Sequence, residues 1–357
     1  MGLGIVSYIF PVIGGTVAIR EDREIKGVHR LMLCYIVVNL PFVASGFIEM
    51  TGYHSQLIGG IQMEWYRLRS GVHIPLPSGL YRSPDILGFH VAHVALFCVI
   101  LASGTRNRSH RFTLAAITIS MFVASILVAR RKMMGLIAVS LIVAIGILLK
   151  QRSWHIRQRP VNLPRRFPIV VSALLLLGGV LTCWIPQVQY AASICTELPS
   201  RLITSIYRSP LETIRQNGMF GRGMGTATQG SYHLTSKLPG IWQEDGISRI
   251  IIEGGLAGGV LLLIGTAAFL VFLHPGSMHS NFRKTEQKKA DLTCGAIDGR
   301  SREIVTVVFL YGLVVGNFAT LMISHQHLSG DPIGLGMTGY WAGSLLSLQL
   351  RQGMHNT

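Results

Sequence analysis

Apolar runs of 17 to 20 residues recur along the whole chain, and few folds are open to runs of that length. About 20 helical residues cross the hydrocarbon core of a bilayer, where each backbone N–H and C=O must be satisfied inside the segment. Nine candidate spans fall near residues 2–19, 31–50, 85–103, 113–129, 133–149, 168–186, 248–273, 304–323 and 333–350. With a mean hydropathy of +0.45 and 13% charged residues, the chain is expected to be all-α. The expected architecture is one polytopic transmembrane helical bundle over residues 1–357.

Orientation follows from Lys and Arg, because translocation of positive charge is disfavoured. The connections 20–30, 104–112, 150–167 and 274–302, with Arg351, hold twenty basic residues. The alternate set, 51–84, 130–132 and 187–247 with Arg249, holds twelve. The first set is therefore read as cytoplasmic and the second as outer. Basic loops beside anionic lipid account for most of the +16 net charge, and no nucleic-acid partner is needed. This places Met1 outside with an odd number of spans, and the first run lacks the basic flank of a cleavable signal.

Two outer regions, 51–84 and 187–247, are long enough to carry a site. Both are rich in Gly, Pro, Ser and aromatic residues and are read as short helices and loops. The stretch 274–302 is polar and reads as a cytoplasmic connector. Cys34, Cys98, Cys183, Cys195 and Cys294 show no paired metal spacing, and only Cys183 and Cys195 could meet on the outer side. The spans are nearly free of charge, with Glu49, Asp85 and Glu303 at their ends and Glu253 a turn or two inside the seventh. A coupled transporter is expected to carry more charge at its midplane.

The chemistry is therefore sought at the outer surface. Arg130, Arg131 and Lys132 alone separate two apolar runs there, against the usual charge bias. A cationic cluster in that place calls for an anionic partner such as a lipid-linked phosphate, which the planar arginine fork binds bidentately. The rival reading is a solvated turn snorkelling to headgroups. Gly218, Gly221, Gly223 and Gly225 either cradle an anion around Arg222 or form a plain surface turn. Arg249 and Glu253 stand four apart on one helical face and are expected to pair at the membrane entrance, with direct phosphate contact by Arg249 the alternative. Gly254 with Gly258, and Gly255 with Gly259, give small-xxx-small steps for close helix packing. His325, His327 and Asp331 are read as an ordered turn, since two histidines alone do not define a metal site.

Residues 217–259 read NGMFGRGMGTATQGSYHLTSKLPGIWQEDGISRIIIEGGLAGG. This segment resembles the distal outer loop of the O-antigen ligase and O-antigen polymerase superfamily, in which a Gly-rich stretch precedes a helix that re-enters the membrane through Glu-x-Gly-x-x-Gly. GLYRSPDILGFHVA at 79–92 and SILVARRKMMGL at 125–136 look like two further family motifs, in family order. The resemblance covers most of residues 79–273.

What the resemblance implies is glycosyl transfer at the outer face of a bacterial inner membrane. The donor would be a polyprenyl-diphosphate glycan and the acceptor a glycan or lipid A core, with no metal or other cofactor and with a chain-length regulator left open as a partner. The catalytic set becomes Glu244, Arg130 and Arg249, and the substrate-binding set Arg82, Arg131, Arg208, Arg222 and His233; Glu253, Gly254 and Gly258 are structural. One departure stands out. The family usually places a His-Asn pair nine residues before the Glu of the re-entering helix, and that position here holds Glu244, followed by Asp245. Either acid could serve as base or be an ordinary loop acid, and His233 could supply the imidazole from a shifted position. Two other readings stay open: a glycolipid transporter or flippase, and an inactive assembly partner.

Overall fold

The computed structural model describes residues 25–50, 66–69, 72–81, 83–105, 107–128, 130–155, 189–190, 193–223, 245–274, 296–323 and 339–346. They form α1 (Ile25–Met50), a hairpin of β1 (Tyr66–Arg69) and β2 (Val72–Pro75), α2 (Pro84–Gly104), α3 (Arg108–Leu127) and α4 (Arg131–His155). Then follow α5 (Ile194–Ile203), a π-helical turn (Thr204–Arg208), α6 (Ser209–Asn217), α7 (Gly246–Phe272) and α8 (Ala296–Ile323), with a last helical segment at 339–346. Among the described residues, five helices are long and apolar enough to cross a membrane: Gly27–Met50, Pro84–Gly104, Arg108–Leu127, Arg131–Lys150 and Gly246–Phe272. Ile304–Thr320 adds a shorter apolar stretch within α8. The chain is a multi-pass helical membrane protein; the expected spans 2–19 and 168–186 lie outside the described residues.

The bundle is organised around α2. Some 72% of its apolar window is buried, against 17% for α3 and 28% for α4, so α2 is the axle and its neighbours present one side to lipid. It starts cleanly: Ser83 Oγ accepts from Ile86 N at 3.4 Å, Pro84 occupies the first turn, and Asp85 complements the helix dipole there. α1, α3, α4 and α8 pack around it.

Two devices fasten helices to one another. Gly312 and Gly316 of α8 meet Ser140 and Ala144 of α4; a Cβ at Gly312 would lie 3.1 Å from Ala144 Cβ, and one at Gly316 2.9 Å from Leu136 O. This small-xxx-small contact brings the two backbones close, which in lipid replaces the hydrophobic drive. The second is polar. Tyr81 Oη donates to Asn39 Oδ1 (2.8 Å), the Tyr35 hydroxyl stands 2.5 Å from His90 Nδ1, and Tyr81 stacks on His90. Deeper in, His93 Nδ1 bonds Phe89 O (3.0 Å), which leaves Nε2 to accept from Asn317 Nδ2 at 3.3 Å. These polar pairs tie α1, α2 and α8 together, with Asn317 Oδ1 left without a hydrogen-bond partner among the described residues.

Chain contacts sort the helix ends into two groups. At one end His29, Gly104 and Thr306 meet, with Thr306 Oγ1 3.5 Å from His29 Nε2. His274, whose imidazole is held below its ordinary basicity by burial and then by Lys150, packs against Tyr311. The opposite end holds Glu49, which accepts from Ser78 N (2.7 Å) and Gly79 N (2.5 Å), together with Asp85, Arg130 and Arg131. The first end joins the connections with twenty basic residues, the second those with twelve.

The region 51–84 departs from the expected helices and loops by containing the β1–β2 hairpin, antiparallel with Arg69 opposite Val72. The intervening Ser70–Gly71 is a dipeptide suited to a two-residue connection, and Tyr66, Leu68, Val72 and Ile74 alternate with polar residues. The alternation is only four residues long on each side, too short to stand out as a period.

Candidate functional site

At the end that carries Asp85, the turn between α3 and α4 is held by two ion pairs of different construction. Arg130 Nε lies 3.2 Å from Asp85 Oδ1, with side chains 14% and 7% exposed. Arg131 is more enclosed: its Nη1 meets Glu197 Oε2 at 2.8 Å and donates to Ser193 Oγ at 2.9 Å, while the guanidinium lies 4.3 Å from the Tyr190 ring centroid. Burial pushes the Glu197 carboxyl upward, but hydrogen bonds from Arg131 and Arg201 outweigh it and hold the group below its ordinary value. Arg131 thus clamps the segment 193–203 to the bundle.

The second half of the site is a broken helix. Inside α7, Gly255 has φ 69° and ψ −172°, outside the helical range. In an unbroken helix Ile252 O would accept from Leu256 N. Here each bonds the Gly-rich loop instead: Arg222 N donates to Ile252 O (2.6 Å), and Leu256 N donates to Met219 O (2.8 Å). The loop is spliced into one helical hydrogen bond. Gly221, φ 71°, faces the break so closely that a Cβ there would lie 2.7 Å from Gly255 N and Ile252 O. A Cβ at Gly255 would lie 2.7 Å from Phe220 C.

The break is sharp. A Cβ at Gly259 would sit 2.9 Å from Ile251 Cγ1, and one at Gly258 3.7 Å from Ile250 O, whereas residues eight apart in a straight helix are about 12 Å apart along the axis. The chain therefore bends sharply between 246–254 and 256–272, within the apolar helix Gly246–Phe272. Of the expected small-xxx-small steps, Gly255 is the break, and among the described residues Gly254 meets nothing within 4 Å. Close helix packing of that kind is carried by Gly312 and Gly316.

Arg249 and Glu253 pair as expected, Nε to Oε1 at 3.5 Å, with side chains 5% and 18% exposed. Their helix is anchored by Asp245, whose Oδ1 accepts from Ser248 N (2.7 Å) and whose Oδ2 accepts from Ser209 Oγ (2.5 Å). Both oxygens of this 3%-exposed carboxylate are engaged, so Asp245 is a helix cap that docks α6 and not a poised base.

No family model, curated protein or solved structure matches the chain. The site therefore rests on its own geometry. Arg130 and Arg131 hold the turn between α3 and α4, and the segment 193–217 links that turn, through Arg131–Glu197 and Ser209–Asp245, to the start of α7. The backbone of Arg222 is bonded one turn from Arg249, and Arg208 and Arg222 are exposed. Glu244, His233, Arg82, His325, His327 and Asp331 lie outside the described residues, as does Cys183. Sequence reasoning did not find Asp85 as the partner of Arg130, although its place in the first turn after Ser83–Pro84 marks it as a helix-start acid. Nor did it find the loop–helix splice, whose signal was present in the paired positive-φ candidates Gly221 and Gly255.

Proposed function

We propose that the protein is a membrane glycosyltransferase of the O-antigen polymerase or ligase type, a bundle of about nine spans acting at the outer face of a bacterial inner membrane. In this reading a glycan passes from a polyprenyl-diphosphate donor to the hydroxyl of an acceptor glycan or lipid A core. Arg130, Arg222 and Arg249 neutralise the departing diphosphate, and Glu244 takes the acceptor proton. The observation that carries it is the splice of the Gly-rich loop into α7. It bonds the backbone of Arg222 one turn from Arg249, in the segment that the resemblance assigns to a loop returning to the membrane. Preorganised cations beside low-dielectric lipid stabilise charge developing on a leaving diphosphate. The near absence of charge inside the spans favours this reading over a coupled transport path.

The test must separate ligand from scaffold, since Arg130→Ala strands the buried Asp85 carboxylate, at a cost of roughly 3–5 kcal/mol. Adding Asp85→Asn removes that stranded charge. The double variant should recover thermal stability in detergent yet still release polyprenyl diphosphate about 30- to 1000-fold more slowly, the equivalent of about 2–4 kcal/mol. Wild-type release from the refolded double variant would return Arg130 to a structural role.

A further inference from the structure

The segment from α5 through the π turn to α6 carries an order of side chains that the transfer reaction does not use. Ile203, Tyr207, Leu211 and Ile214 succeed one another at steps of four, four and three, forming one stripe. Ile203 is 53% and Tyr207 64% exposed. Arg208 and Arg215, both exposed, each follow a stripe member by one residue and so line one edge of it, two turns apart. The docking side is different: Pro210 and Thr213 are buried, and Ser209 bonds Asp245 and lies 3.0 Å from Ser248 Oγ. A third side is polar, with Gln216 Nε2 donating to Glu212 Oε1 at 2.9 Å. Three functions are thus divided among three sides of one helical segment.

Its height relative to the bundle is fixed at two points, one before the stripe and one within it. Arg131 ties Ser193 and Glu197 to the turn between α3 and α4, and Asp245 ties Ser209 to the start of α7. Both anchors are span ends, where the hydrocarbon gives way to headgroups. The loop that follows adds Met219 and Phe220, 60% and 95% exposed.

We propose that this segment is a membrane-surface helix that sinks Ile203, Tyr207, Leu211 and Ile214 into the headgroup–acyl boundary and binds anionic phospholipid headgroups through Arg208 and Arg215. An apolar stripe edged by arginine and backed by a polar face is the pattern of a helix lying in the interface plane, and the arginine stems extend along the stripe while their heads reach phosphate. Arg208, counted on sequence grounds among the donor ligands, is thereby assigned to bilayer lipid. The proposal stands whether or not the transfer reaction does.

The test uses the full-length protein lacking native cysteines, with one cysteine at position 203, 207, 212 or 216 carrying an environment-sensitive fluorophore. Each is placed in nanodiscs of phosphatidylcholine, with or without phosphatidylglycerol, and without any polyprenyl lipid. Labels at 203 and 207 should be quenched by doxyl lipid and shielded from iodide, with the reverse at 212 and 216. Phosphatidylglycerol should deepen the lipid quenching at 203 and 207, and Arg208→Glu with Arg215→Glu should erase that increment, by roughly five-fold per arginine in the lipid-bound ratio. Iodide access at 203 and 207 equal to that at 212 and 216 would overturn the proposal, and would mean that the stripe faces water or awaits a protein partner. Insensitivity to phosphatidylglycerol would overturn the assignment of the arginines.

Discussion

At Gly255 and Gly254, neighbours in sequence, the same substitution has opposite consequences. Gly255→Ala puts a Cβ into a positive-φ residue and within 2.7 Å of Phe220 C, so strain of about 1–2 kcal/mol adds to a backbone clash. Its melting temperature should fall and the loop 218–223 should become protease-sensitive. Gly254→Ala meets nothing within 4 Å among the described residues, within a helical turn, and should be neutral or stabilising by about 0.5–1 kcal/mol in the same scan. The Arg131–Glu197 pair makes a prediction in pH. Its carboxyl is held below the ordinary value in the folded state, so the stabilisation is complete above the ordinary carboxylate range near pH 4 and is lost as pH falls through the lowered folded value. The acid-side drop in melting temperature should therefore be smaller in Glu197→Gln than in wild type.

Among the elements, the most legible were those whose signal is length and composition. The apolar runs at 31–50, 85–103, 113–129 and 133–149 each became a helix. The pairing of Arg249 with Glu253 was also readable, since a spacing of four fixes a shared face before any tertiary contact forms. The glycines divided differently. GGLAGG and GLVVG have the same local grammar, yet one became a break and the other a helix contact. The difference lies in the partner: Ser140 and Ala144 stand opposite Gly312 and Gly316, while the loop 219–222 stands opposite Gly255, and neither partner is a neighbour in sequence. A bulky side chain at Gly316 should therefore separate α4 from α8. Gly316→Leu is expected to cost about 3 kcal/mol by overpacking against Leu136 and Ser140, whereas Gly265→Leu, which meets nothing within 4 Å among the described residues, should be tolerated; thermal melts in detergent check both.

For the molecule as a whole, sidedness is the property on which the proposed chemistry depends. The charge count divides the connections twenty to twelve, and the contacts gather the helix ends into the same two groups. Cysteine placed beside Thr226 should react with an impermeant thiol reagent in intact cells, while cysteine beside Gln287 should stay unlabelled until the membrane is opened. The opposite pattern would remove the outer-face site and the reaction built on it.

The splice at Gly255 also sets an order of events during biogenesis. Residues 256–272 can enter the bilayer as an ordinary helix, satisfied by their own backbone apart from the first turn. The piece 246–254 cannot follow it until residues 219–222 arrive, because Ile252 O and Leu256 N have no helical partner in each other once the chain has turned. The last step of assembly is therefore a docking of residues 219–222 onto the inserted helix, and a substitution at Gly221, which faces the break, would leave that step undone.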